Sequence, residues 1–192
     1  MRALLAILAL VALTGCSSLT AAGDTPATGV QTSPVASPTD QGHVPAAGSC
    51  HYHGELPDPA CTPGVADPAV NQADITTTIC HSGYSKTIRP PVSYTEPLKR
   101  QLMASYGQTG SLSGYELDHF LPLSEGGAPM SAQNLWPEPI AQAHQKDKLE
   151  YRLYELVCSG KVPLAQAQHD ITTDWVAAYN HYDASSVSGF GE

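Results

Sequence analysis

Asp118 and His119 stand side by side at the end of a short segment of alternating apolar residues that begins at Tyr115. A tight turn containing Pro122 and the pair Gly126-Gly127 follows. Asn134 lies 15 residues after His119 in a proline-flanked loop, and His144 lies 10 residues beyond Asn134, where a helix begins. That order can gather a carboxylate, two imidazoles and an amide around one point. A carboxylate and a neutral imidazole are suitable ligands for a divalent cation. A second imidazole, held off the metal, has the proton affinity to take a proton from water near neutral pH. Phosphodiester cleavage needs both functions, activation of the attacking water and a cation to stabilise charge on the leaving oxygen.

At the Asp118-His119 pair, the Pro122-x-x-x-Gly126-Gly127 turn, Asn134-Leu135 and the helix that follows, the chain resembles the HNH nucleases of the His-Me finger (ββα-metal) superfamily in order and spacing. The resemblance covers about Tyr115 to Glu150. It implies that His119 is the general base, that Asp118 is a metal ligand, and that Asn134 holds the loop that orients His119. Upstream, Pro57-Asp58-Pro59-x-Cys61-Thr-Pro-Gly and the stretch from Thr-Ile-Cys80 through Arg89-Pro90-Pro91 resemble an extension found in exported actinobacterial HNH proteins. One departure stands out. Many HNH proteins carry a Cys-x-x-Cys-His run entering the last helix, often with a structural zinc. Here Ile140-Ala-Gln-Ala-His144 takes its place, so no such zinc is expected and His144 is the candidate second metal ligand.

The function these readings imply is a metal-dependent endonuclease that hydrolyses nucleic-acid phosphodiester bonds outside the cytoplasm. Mg²⁺ is the first expectation for its ion, with Mn²⁺, Ni²⁺ and Zn²⁺ as alternatives, and DNA ranks ahead of RNA as substrate. The chain is expected to act as a monomer. With 9 Lys+Arg against 18 Asp+Glu the net charge is −9, which excludes a protein that coats nucleic acid by bulk charge but not a local phosphate-handling site. Candidate phosphate contacts are Lys148 and Arg152, which share a helical face with His144, together with Lys86 and Arg89 upstream. The alternative is a catalytically silent scaffold that serves as a binding or metal-handling surface protein, for which the His51 and His53 stretch is a candidate.

The elements that must position these residues are also marked. Residues 1–15 read as a signal peptide: Arg2, then an apolar run from Ala3 to Leu13 too short to span a bilayer. Leu13-Thr14-Gly15-Cys16 resembles the bacterial lipobox, which implies lipidation at Cys16 and attachment to the extracytoplasmic face of the cell membrane through that anchor alone. Residues 16–49 read as a flexible linker, since 24 of the 33 residues after Cys16 are Ser, Thr, Ala, Gly or Pro. The domain is expected over 50–192, with the ββα-metal core at about 115–157. Cys50, Cys61, Cys80 and Cys158 allow three disulfide connectivities in an exported chain, with zinc as a competing use; Cys50–Cys61 with Cys80–Cys158 is preferred.

The fold class is therefore α+β, a small disulfide-stapled domain with an additional C-terminal helix. Ile75 to Cys80 is β-branched and reads as a strand. Thr95 reads as the N-cap of a helix with Pro97 in its first turn and Leu98, Leu102 and Tyr106 on one face. Two longer helices are expected from about Ala141 to Val157 and from Pro163 to about Tyr179, each with an apolar stripe at helical spacing.

Overall fold

The two longest helices follow their apolar spacing. In the computed structural model, which describes residues 42–187, α3 spans Ile140–Cys158 and buries Ala143, Lys146, Leu149, Leu153 and Val157. Next comes α4 (Leu164–His181), which buries Leu164, Ala167, Ile171, Trp175 and Ala178 against it in the main core. Asp174 leaves helical geometry (φ −160°, ψ 91°), and its Oδ1 accepts the Ala177 N–H at 3.0 Å. The carboxylate thus re-caps the second half of α4 across a kink. Among the described residues no helix is long and apolar enough to cross a membrane. The expected signal peptide, Cys16 and linker residues 17–41 lie outside the described residues.

Before α3 comes a two-stranded antiparallel sheet, β1 (Tyr115–His119) and β2 (Leu135–Pro139). Its register sets Glu116 opposite Glu138, Asp118 opposite Trp136 and His119 opposite Leu135. Side chains alternate across a strand, so Glu116 and Asp118 share one face of β1, and Leu117 and His119 the other. Leu117 packs with Leu98, Leu102, Ala132 and Leu135 on the side of helix α2 (Val92–Ser105), while Asp118 meets Lys146 of α3. The domain is a small α+β unit in which a strand, a 15-residue loop, a second strand and a helix follow one another around one point.

Both disulfides are formed in the preferred pairing, Cys50–Cys61 and Cys80–Cys158. Cys80 is reached by turns rather than by the strand expected over Ile75 to Cys80. The Asp74 carbonyl accepts the N–H groups of Thr77 and Thr78, each at 3.0 Å, and also both of their hydroxyls. Local side-chain bonding of this kind gives threonine a substitute for a ladder partner, which a reading from β-branching alone misses. Helix α2 also begins earlier than Thr95. The Pro90-Pro91 pair delivers an extended residue at Pro91 (φ −71°, ψ 153°), and the helix starts immediately after it. Thr95 sits inside, its hydroxyl turned back to the Val92 carbonyl, and Pro97 is the sixth helical residue. The short helix α1 (Tyr84–Ile88) precedes the proline pair.

Residues 42–49, the end of the expected linker, lie against α2. The Gly48 N–H donates to the Ala104 carbonyl, the Ser105 hydroxyl to the Pro45 carbonyl, and Val44 joins the Leu98 cluster.

Candidate functional site

The loop between β1 and β2 is closed on itself by one buried amide. Asn134 is fully buried; its Oδ1 accepts the Leu121 N–H at 2.9 Å, and its Nδ2 donates to the carbonyls of Leu121 (2.9 Å) and Ala128 (3.1 Å). These are buried backbone groups that would otherwise lack partners. The clasp brings the Pro129 carbonyl to 2.9 Å from Nε2 of His119. A carbonyl can only accept, so Nε2 carries the ring hydrogen and Nδ1 keeps a lone pair. Burial lowers the proton affinity of His119, and the hydrogen bond to Pro129 offsets this only in part. The ring is therefore neutral near pH 7, the form a general base requires. Tyr94 of α2 steadies the same loop by donating its hydroxyl to the Met130 carbonyl.

Asp118 is held from two sides. Its Oδ2 accepts from the indole N–H of Trp136 at 3.1 Å and from the ammonium of Lys146 at 2.7 Å. Lys146 is 0% exposed, and its Nζ also reaches Glu150 Oε1 at 2.5 Å and the His119 carbonyl at 3.0 Å. Three donors thus meet three acceptors, as a buried ammonium requires. Glu116, Asp118 and Glu138 each bring an oxygen within 4.8 Å of the others. Glu138 is 1% exposed, and its Oε1 has no hydrogen-bond partner among the described residues. Burial, reinforced by the neighbouring Asp118, pushes its carboxyl up to about 10.

A cavity of about 260 Å³ opens beside Glu116 and Asp118 of this group, lined by Arg89, Glu116, Leu117, Asp118, His119, Pro122, Leu123, Asp147 and Glu150. The donors of the carboxylate cluster are all oxygens, the preference of hard ions such as Mg²⁺, Mn²⁺ and Ca²⁺. A partnerless buried carboxylate oxygen within such a cluster fits a cation as well as it fits a proton. The site therefore offers a neutral imidazole with one free nitrogen, a hard-ion donor set and a guanidinium on one cavity wall.

The structure brings Asp118, His119, Asn134 and Arg89 together and leaves other expected residues outside. His144 lies outside the Glu116–Asp118–Glu138 group: its side chain is 87% exposed, and it pairs with Asp147 at 3.9 Å. Residues two apart on a helix point about 200° away from each other, so the register that turns Lys146 onto Asp118 turns His144 to solvent. Arg152 is used within the fold. Its Nε donates to the Tyr182 carbonyl at 3.1 Å, and it lies 3.7 Å from Glu155. Lys148 is half-buried on α3, and Lys86 is exposed on α1. Reasoning from sequence misses Glu116, Glu138, Lys146 and Glu150. For Lys146 a signal exists, because it interrupts the buried row Ala143, Leu149, Leu153, Val157.

Glu125 is fully buried, with Oε2 accepting from the Ser124 hydroxyl at 2.7 Å and Oε1 without a partner among the described residues. Burial, and then the nearby Glu150, raise its carboxyl well above the ordinary carboxylate range. A raised folded value means that stability is full below the unfolded value of about 4.3 and falls as pH rises toward the folded one. Glu125→Gln removes this dependence. Between pH 4.5 and pH 8 its urea midpoint should therefore rise relative to that of wild type; a difference that stays flat with pH would show that the Glu125 carboxyl is not raised by its burial.

Compared with known proteins, the chain matches no family model, no curated protein and no solved structure.

Proposed function

We propose that this domain is a metal-dependent endonuclease of the HNH type, hydrolysing nucleic-acid phosphodiester bonds, with DNA as its first substrate, outside the cytoplasm and tethered through Cys16. The observation that carries the reading is the neutral His119 imidazole, tied through Nε2 to the Pro129 carbonyl and adjacent in sequence to the Asp118 carboxylate. The strand–loop–strand–helix order, with Asn134 clasping the loop, supports it further. Asp118, Glu116 and Glu138 would hold the divalent ion, and Mg²⁺ or Mn²⁺ suit their oxygens. A bound ion supplies Lewis-acid stabilisation of charge on the departing 3′-oxygen.

The chain's own groups do the rest. His119 accepts a proton from the attacking water at Nδ1, while the Pro129 carbonyl keeps the ring in the required tautomer. Trp136 and Lys146 fix the Asp118 carboxylate. Arg89, on the cavity wall, meets the phosphate. With a net charge of −9, attraction to nucleic acid must come from such local groups, so binding should be weak and sensitive to salt.

The test is plasmid cleavage by the full chain with EDTA or with Mg²⁺, Mn²⁺, Ni²⁺ or Zn²⁺, alongside His119→Ala. Cleavage should need the ion, and the variant should lose a factor of about 10²–10⁴ in rate with its thermal unfolding unchanged. A folded His119→Ala protein that cuts at the wild-type rate sinks the assignment of the base. One observation favours a second reading, the silent binding scaffold: the ammonium of Lys146 already neutralises Asp118. That reading requires no cleavage by folded wild type with any of the four ions.

A further inference from the structure

We propose that Lys146 is a resident counter-cation that sets how tightly the Glu116–Asp118–Glu138 cluster holds a divalent ion. The proposal rests on the reading of that cluster as the metal site, and it assigns the buried lysine a role that stability alone does not explain. A methionine or leucine at 146 would continue the apolar row of α3. Replacing a buried ion pair by well-packed apolar residues is often neutral or stabilising. Lysine instead carries its charge to a fully buried position beside Asp118.

Its contacts show what the charge does. All three N–H donors are used, on Asp118, on Glu150 and on the carbonyl of His119, so the ammonium grips both residues of the Asp118-His119 pair at once. Glu116, Glu138 and Asp147 face the same charge. One lysine thus balances a group of carboxyls that would repel one another without it, and the cluster is assembled in advance of any ion. The same charge opposes a divalent ion at Asp118, because two cations beside one carboxylate compete for it. Lys146 leaves Glu116 and Glu138 of the cluster unbonded, and Glu138, whose buried Oε1 has no partner among the described residues, lacks a counter-charge in contact and can accept a second cation. The site is therefore tuned to bind its ion moderately.

The experiment measures Mn²⁺ affinity of the full chain by electron paramagnetic resonance, for wild type, Lys146→Met and Lys146→Gln, with thermal unfolding at several Mn²⁺ concentrations. The glutamine can still donate to Asp118, which keeps one variant close to the native geometry. Both variants should bind Mn²⁺ roughly tenfold or more tightly than wild type, and Mn²⁺ should raise their Tm by more than it raises that of wild type. Variants that fold only with Mn²⁺ present also support the proposal, since the ion then replaces the ammonium. Equal or weaker affinity in a folded variant overturns it, as does absence of Mn²⁺ binding in all three proteins. Failure of both variants to fold at any Mn²⁺ concentration overturns it too, because the ammonium is then a structural pin that no ion replaces. The gain must vanish when Asp118→Asn is added; a gain that persists places the ion elsewhere and overturns the assignment. Affinity is read without nucleic acid, so a wild type that cuts nothing while Lys146→Met binds Mn²⁺ more tightly removes the nuclease reading and leaves this one intact.

Discussion

Gly127→Ala is expected to cost about 4 kcal/mol or more of folding stability, a large share of the roughly 5–15 kcal/mol typical of a domain. A Cβ at this position would lie 1.7 Å from the Leu121 carbonyl oxygen and 2.7 Å from Asn134 Nδ2. Neither neighbour can yield cheaply. The oxygen is backbone and already accepts from that same Nδ2, while the Gly127 N–H is fixed to the Pro122 carbonyl at 2.8 Å. Making room therefore breaks the Asn134 clasp and leaves the Leu121 N–H and the Ala128 carbonyl buried without partners. Pro129, the acceptor for His119, is two residues away, so any cleavage activity should fall with the stability. Gly114→Ala is the control, since a Cβ there would meet nothing within 4 Å and its φ is not positive. Urea midpoints decide the matter: Gly114→Ala should stay within about 0.5 kcal/mol of wild type, and a Gly127→Ala protein as stable as the control would refute the account of the loop.

That loop marks the boundary between what the sequence reveals and what it hides. Asp118, His119, Gly126-Gly127 and Asn134 are close in sequence, and their types announce a turn, an amide clasp and an imidazole held at its end. The helices are legible because burial of one face imposes the 3.6-residue period. The pairing Cys80–Cys158 is the one that loop length favours. Carboxylate neighbours are harder to see, because Glu116 meets Glu138 only through a cross-strand register that the loop must first set. His144 against Lys146 turns on the rotation of one helix, which depends on how α3 packs on β1 and α4. The strand expected at Ile75 to Cys80 fails for another reason: the Asp74 carbonyl collects the threonine donors locally, and β-propensity says nothing about that competition. Arg152 escapes a sequence reading in the same way, since its partner is the Tyr182 carbonyl, 30 residues on.

Loss of the Cys80–Cys158 bridge should cost more than loss of Cys50–Cys61, and the loop lengths say by how much. The first pair is 78 residues apart and the second 11. Constraint of the unfolded chain then amounts to about 4.5 kcal/mol for the long loop and about 3 kcal/mol for the short one. Core packing acts in the opposite direction. Cys50 and Cys61 are buried in the main core, whereas Cys80 is only partly buried against it. The cavity left by two small sulfur atoms is worth about 1 kcal/mol, too little to reverse the order. The long loop also contains α1, α2, both strands and most of α3, so this one bridge ties the turns before α1 to the far end of the helix that carries Lys146. Urea unfolding of the paired alanine variants should rank Cys80→Ala/Cys158→Ala below Cys50→Ala/Cys61→Ala by roughly 0.5–1 kcal/mol. Equal midpoints, or the reverse order, would mean that the unfolded chain is already constrained between residues 80 and 158 without the bridge, and that the carboxylate site is held by its own contacts with α3.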